Sequence, residues 1–229
     1  MKILNSKFIY IFYIYIYIFL IRIIMKIFIF SIIFLILQIK NEINTAKMLI
    51  IYFSRTGNTK LFSDYIIECL NMESYQIIPV NEYPSDSKEM TYLAKKERTE
   101  NARPEIKNPL TTINNYDKIL LGYPLWNSYL PCIVITQLLK LNFSGITIYP
   151  FNTHEGSGTG NTFNQIKLYT PGAIIKRGLD IKGSTIKNNK EDSIKEIKKW
   201  LNKNFGYKYD YAKNSKLKVL FIIFYIFIF

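Results

Sequence analysis

Met48-Leu49-Ile50-Ile51-Tyr52-Phe53 is an unbroken apolar run, and it passes without a linker into Ser54-Arg55-Thr56-Gly57-Asn58-Thr59, a hydroxyl-rich loop that opens a helical pattern. A strand that is apolar on every residue must be buried on both faces, which calls for a parallel sheet covered by helices. The loop gathers three hydroxyls (Ser54, Thr56, Thr59) and a cluster of backbone N–H groups at a helix start. Unpaired amides and the helix dipole both favour negative charge there, so the segment suits a phosphate group. Gly57 lets the backbone come close, and Asn58 tolerates the dihedrals of a tight turn.

The rest of the middle segment repeats the alternation. Strand patterns are predicted over Met48–Phe53, Tyr75–Val80, Lys118–Gly122, Ile146–Phe151 and Ala173–Lys176. Helical patterns cover Asn58–Leu70, Thr162–Tyr169 and Lys190–Asn204, and a further one runs from Pro131 to Leu141. The long polar stretch Asn81–Asn115 holds a block of helix formers from Ser87 to Asn101. Five strand–helix units with right-handed crossovers predict an α/β fold, a doubly wound five-stranded parallel sheet sandwiched by helices. In that architecture ligands bind beyond the C-terminal strand ends, where strand order reverses. The loops Ser54–Thr59, Tyr123–Tyr129 and Asn152–Gly160 follow the first, third and fourth strands and are expected to meet at one edge.

The flanks are of another kind. Three regions follow from composition: an apolar low-complexity segment over 1–46, a domain over 47–205, and an apolar tail over 206–229. Phe8 to Ile39 is almost wholly Ile, Phe, Tyr and Leu, interrupted by Arg22, Lys26, Ser31 and Gln38. Its length suffices to cross a bilayer, and residues 8–39 are the candidates for membrane association. Arg22 and Lys26 in its middle are costly in lipid, and they divide the run into two short pieces. A cleavable signal peptide fits poorly, since the apolar region is too long and Asn44 stands where a small residue is wanted. Both flanks are also built from the residues of AT-rich codons, so a mis-set gene start and a read-through tail are the competing reading. The domain itself is expected in the cytoplasm, either free or anchored by this segment.

The net charge of +13 overstates the basicity of the domain. From Lys47 to Lys203 there are 21 Lys and Arg against 15 Asp and Glu, a net of +6. No basic stripe interleaves with aromatics, which argues against a nucleic-acid partner. The densest basic segment is the closing helix, with Lys187, Lys190, Lys195, Lys198, Lys199 and Lys203. Cys69 and Cys132 have no motif spacing and read as small buried hydrophobes in a reducing compartment, with neither a metal site nor a disulfide framework.

Three segments together resemble the flavodoxins, in particular small bacterial members. Ser54-Arg55-Thr56-Gly57-Asn58-Thr59 resembles the loop in which hydroxyls and amides hold the FMN phosphate. Pro124-Leu125-Trp126-Asn127, after Tyr123, resembles the loop lying against one face of the isoalloxazine. Thr153-His154-Glu155-Gly156-Ser157-Gly158 resembles the second flavin loop. Glu97-Arg98 and Ala102-Arg103-Pro104 are also similar to the subgroup. The resemblance spans about Lys47 to Asn204 and implies an FMN-binding electron-transfer protein with a redox partner protein whose identity the residues do not carry. An FMN-dependent NAD(P)H oxidoreductase acting on quinones is the alternative, and a flavin-free binding module is a third. One departure stands out: the family often places an aromatic and then Gly after the Trp, whereas Asn127 and Ser128 follow here.

Individual residues have competing readings. Trp126 either stacks on the flavin or caps the core at the strand end. His154 is the sole histidine, and either orders its loop or moves a proton. One-electron transfer needs no protein base, because the cofactor carries that chemistry. Gly156-Ser157-Gly158-Thr159-Gly160 partly imitates a dinucleotide fingerprint but falls one residue short of its spacing. Arg55 and Lys60 flank the phosphate loop and either pair with phosphate or face solvent. Trp200 lies beside the apolar face formed by Ile194, Ile197 and Leu201 and reads as a packing residue.

Overall fold

In the computed structural model of this protein, the residues described are 2–43 and 47–206. The chain divides into two units, one ending at Ala46 and one beginning at Lys47. The first consists of a single helix, α1 (Lys2–Ile43). Arg22 and Lys26 do not interrupt it, and its segment Tyr10–Leu35 is long and apolar enough to cross a membrane.

The second unit is a doubly wound α/β domain. Its elements are β1 (Met48–Tyr52), α2 (Asn58–Leu70), β2 (Glu73–Gln76), α3 (Ser87–Thr99), β3 (Lys118–Pro124), α4 (Cys132–Leu138) and β4 (Thr147–His154). They continue through α5 (Thr162–Tyr169), β5 (Ile174–Ile175), β6 (Leu179–Lys182), α6 (Gly183–Asn188) and α7 (Lys190–Phe205). All strand pairs are parallel, in the order β2-β1-β3-β4-β5, with β6 also on β4. Strand order therefore reverses between β1 and β3.

Residues alternate along each central strand between two cores. Leu49, Ile51, Ile119, Leu121 and Ile148 pack on one side with α4, while Ile50, Leu120, Tyr149 and Phe151 pack on the other with α2 and α7. Each buried Ile or Leu contributes roughly 1.5–3 kcal/mol of transfer free energy. On the second side Ile197, Trp200 and Leu201 of α7 are buried, so Trp200 is a packing residue as expected.

Local chemistry explains most boundaries. Asp86 caps α3 by accepting from the N–H groups of Lys88 and Glu89 at 2.9 and 2.8 Å, a standard way to satisfy orphan helix donors. Asn189 caps α7 through Asp192 N–H at 3.1 Å, and Gly206 ends it in the left-handed region at φ 63°.

Three differences from the sequence expectation have physical causes. The second strand ends at Gln76, because Ile77–Val80 turns away to a bridge between Pro79 and Ile106. The fourth strand continues through Asn152 and Thr153 to His154, since Tyr123 and Pro124 extend β3 alongside it. The fifth strand is split. Pairing passes from Ile148↔Ile175 to Phe151↔Leu179, so β5 and β6 together carry one residue more than β4 does. The carbonyls of Ile146 and Ile148 accept from Ile174 and Lys176, so Pro150, two residues on, turns the same side toward that strand with no N–H to donate. A proline there is tolerated at a bulge. The bulge leaves the carbonyl of Arg177 outside the ladder, and Trp200 Nε1–H donates to it at 3.2 Å.

Candidate functional site

The three loops do meet, and Thr153 at the end of β4 joins them. Its carbonyl accepts from Leu125 N–H at 2.8 Å, and its hydroxyl lies 2.8 Å from that of Thr59. Phe53 N–H donates to Gly122 O at 3.0 Å, which fixes the ends of β1 and β3 side by side. The site sits where strand order reverses, as the architecture requires.

The start of α2 is open. Gly57 occupies the N-cap position at φ 92°, no side chain caps the helix, and Leu61 N–H is the donor that reaches Gly57 O. The first N–H groups of the helix thus have no intrahelical partner. Ser54 Oγ is buried and has no hydrogen-bond partner, an arrangement that costs about 1–3 kcal/mol unless a ligand completes it. Thr56 and Gly57 are exposed, whereas Thr59 is buried and tied to Thr153. Neither flanking cation serves the loop. Arg55 Nη1 donates to Pro84 O at 2.6 Å and Ser85 O at 3.2 Å, and Lys60 pairs with Asp64 at 2.7 Å. The orphaned hydroxyl and the open helix start fit a phosphate held by neutral donors alone.

The second loop is a tight hairpin. Trp126 and Tyr129 exchange N–H···O bonds of 3.1 and 2.9 Å, and the residues between them, Asn127 and Ser128, lie at φ 49° and 67°. Positive φ at both central positions is the type I′ pattern, for which Asn is well suited. The departure at Asn127 and Ser128 is therefore accommodated by backbone geometry. Asn127 Nδ2 also donates to Thr91 O at 3.1 Å, pinning the hairpin to α3. Trp126 is partly buried and meets Phe53 and Tyr83 edge-on, with ring centroids 5.4 and 4.9 Å apart. Two rings thus hold its orientation beside Pro124 and Leu125 while it stays partly exposed.

The third loop is organised by its histidine. His154 Nδ1 accepts from Gly156 N–H at 2.8 Å, and Nε2 lies 3.3 Å from Asp180 Oδ2. This assigns the proton to Nε2 and occupies both ring nitrogens, so His154 ties the third loop to β6. The buried Asn152 donates from Nδ2 to Gly158 O at 2.9 Å. Glu155 Oε1 and Asn58 Nδ2 both lie against the backbone of Gly183, and a Cβ built there would meet them at 2.5 and 2.4 Å. The first and third loops therefore close together over the start of α6. Ser157 remains exposed.

Gly160 joins the third loop to the hairpin. Its φ is 53°, and an added Cβ would stand 2.5 Å from Ser128 O, which already accepts from Asn161 N–H at 2.9 Å. Gly160→Ala is expected to push the two loops apart, with a loss of roughly 1–3 kcal/mol in stability. A thermal melt showing no loss would contradict this geometry.

Two contributors carried no signal in the sequence: Asp180, on the second half of the split strand, and Tyr83, in the polar stretch. Asn152 was expected to open the third loop and lies within β4, and Glu97 was marked only by the family resemblance. Tyr83 Oη donates to Glu97 Oε2 at 3.3 Å, and both line a cavity of about 230 Å³ with Leu93 and Pro104. Burial raises the Glu97 carboxyl above its ordinary range, partly offset by the Tyr83 hydrogen bond. A carboxyl with a raised folded pKa favours the fold in acid and penalises it as pH rises through that pKa. Glu97→Gln keeps an acceptor for Tyr83, so its melting temperature relative to the parent is expected to improve between about pH 4 and pH 8. An advantage that shrinks over this range would refute the assignment. Cys132 is pushed up to about 11, chiefly by burial, and stays a thiol packed in the core. Neither it nor Cys69 is in a disulfide, and among the described residues no cluster has the make-up of a metal site.

Against known proteins, residues 47–204 match the family model described as Flavodoxin. A candidate flavoprotein of Bacteroides uniformis superposes with TM-score 0.59 at 25% identity, covering 69% of this chain and 99% of that one. One from Bacteroides eggerthii gives 0.58 at 27% identity, covering 69% and 97%. A flavoprotein of Lactobacillus acidophilus, solved in complex with FMN, shares the fold with TM-score 0.51 at 23% identity, covering 59% and 93%. Curated proteins yield no match. With a parallel sheet in the order β2-β1-β3-β4-β5 and a match over most of its length, the chain belongs to the flavodoxin family.

Proposed function

We propose that the domain binds FMN and transfers electrons as a carrier. The observation that supports this most directly is the buried, partnerless Ser54 hydroxyl beside an uncapped helix start. FMN, when bound, supplies the redox chemistry. The chain's own residues bind and orient it. Ser54, Thr56 and the amides of Gly57 to Thr59 receive the phosphate, while Arg55 stays engaged with Pro84 and Ser85. Pro124 to Asn127 form one wall of the ring site and Thr153 to Gly158 the other, with Trp126 braced by Phe53 and Tyr83. His154 has Nδ1 engaged by Gly156 N–H and Nε2 beside Asp180 of β6, which supports electron transfer over proton abstraction in this reading. The N-terminal segment Tyr10–Leu35 serves as a membrane anchor in this reading.

The test is to load the full chain with FMN and mix it with NADPH in a stopped-flow instrument. A carrier leaves the yellow absorbance unchanged until a reductase is supplied. Rapid bleaching by NADPH alone would replace this reading with that of an NAD(P)H oxidoreductase, and a protein that stays colourless with FMN would end both.

A further inference from the structure

The segment Asn81–Asp86 brings Tyr83 to the ring site without belonging to a helix or a strand. It starts just past Val80, whose N–H donates to Glu105 O at 2.9 Å, and it ends at Asp86, the cap of α3. Among the described residues, the main chain of Asn81–Ser85 makes no hydrogen bond to other main-chain groups. One side chain holds it instead. Pro84 O and Ser85 O both accept from Arg55 Nη1, at 2.6 and 3.2 Å, across 29 and 30 positions of sequence.

Tyr83 has one tether of its own, the 3.3 Å hydrogen bond to Glu97. Its ring meets Phe53 at 5.7 Å and Trp126 at 4.9 Å between centroids, and Phe53 meets Trp126 at 5.4 Å. The three rings form a closed triangle. Phe53 is buried and its N–H is bound to Gly122 O, so the sheet fixes it. Tyr83 and Trp126 are only partly buried, and each depends on the loop that carries it. In addition α3, to which Asn127 pins the Trp126 hairpin, begins two residues after Ser85. The place of Tyr83 and the start of α3, and with them the tilt of Trp126, therefore pass through the two carbonyls that Arg55 holds.

We propose that Arg55 is a positioning residue of the ring site: by holding Pro84 and Ser85 it keeps Tyr83 against Trp126 and so fixes the face that Trp126 presents. This rests on the reading of the three loops as an FMN site. A guanidinium suits the task, because its charge strengthens hydrogen bonds to neutral carbonyls and it stays protonated at every working pH. The cation next to Ser54 is then neither a phosphate partner nor a solvated charge.

The experiment uses the full chain in detergent micelles and reads the indole Nε1–H signals of its two tryptophans, assigned with Trp126→Phe. Arg55→Ala is expected to raise the mobility of the Trp126 indole in nitrogen relaxation. Trp200, buried and bound to Arg177 O, is expected to stay as it is. Tyr83→Leu is expected to loosen Trp126 in the same way, and the double variant to add nothing further, because both changes cut one chain of contacts. Arg55→Lys keeps a cationic donor and is expected to return part of the order; it serves as the test should Arg55→Ala not fold. Titrations then compare FMN with inorganic phosphate. In Arg55→Ala the affinity for FMN is expected to fall by a larger factor than the affinity for phosphate, since the disturbance lies at the ring face. An unchanged Trp126 signal, equal loosening of both tryptophans, or additive effects in the double variant overturns the proposal. So does a loss of phosphate affinity as large as the loss for FMN. A chain that takes up neither ligand ends the FMN reading, while the Trp126 signals, recorded without ligand, still decide the role of Arg55.

Discussion

Ser54→Ala is expected to move two properties of this protein in opposite directions. In the cofactor-free protein the Ser54 hydroxyl is buried without a partner, so its removal takes away a desolvation cost of about 1–3 kcal/mol. The variant should melt at a temperature no lower than the parent. With FMN present, the same change deletes a hydrogen bond to a charged phosphate, worth about 1.5–3 kcal/mol. Affinity should fall by about tenfold or more, since 1.4 kcal/mol corresponds to a factor of ten. The two measurements are a thermal melt without cofactor and a fluorescence titration with FMN. A variant that loses cofactor-free stability, or that binds FMN as well as the parent, would show that the hydroxyl is not waiting for a phosphate.

Gly122→Ala is expected to give the largest loss of stability of the substitutions considered. Gly122 lies in β3 between Tyr52 on β1 and Phe151 on β4. A Cβ there would stand 2.3 and 2.6 Å from the Phe151 ring and 2.9 Å from Tyr52 Cβ. The ring has no room to withdraw, because it packs on Phe62 with centroids 4.8 Å apart. Overpacking of this kind costs about 1–3 kcal/mol and occasionally more, which lowers Tm by roughly 2–4 °C per kcal/mol for a domain of this size. Gly122 O also accepts from Phe53 N–H, so the strain propagates to the start of the Ser54–Thr59 loop. A melt within about 1 °C of the parent would mean that the Phe151 ring has a second position available.

Most of the architecture was legible along the chain. The unbroken apolar runs at Met48–Phe53 and Lys118–Gly122 announced strands buried on both faces, and the blocks between them had helical composition. The alternation left the doubly wound sheet as the consistent topology, and that topology predicted that the three loops would meet. The hydroxyl-rich loop leading into a helix was equally plain, because a helix start and its glycine are local features. The split fifth strand was not legible. Pro150 looks unremarkable within an apolar run, and its missing N–H matters only against the neighbouring strand.

Local periodicity reports whether a residue is buried and in what element, and for this protein that sufficed for the doubly wound parallel sheet, for a hydroxyl-rich loop at a helix start and for an apolar segment of spanning length. Which side chains pair is another matter, because it depends on the register between segments far apart in the chain. Thr59 and Thr153 are 94 residues apart, and Asp180 reaches His154 only because the bulge beside Pro150 shifts β6 by one residue. The fold alone placed Tyr83 against Trp126 with Glu97 on its hydroxyl, turned Arg55 to the carbonyls of Pro84 and Ser85 and left the Ser54 hydroxyl without a partner. Each of these follows from three-dimensional packing, which no reading of neighbours along the chain contains.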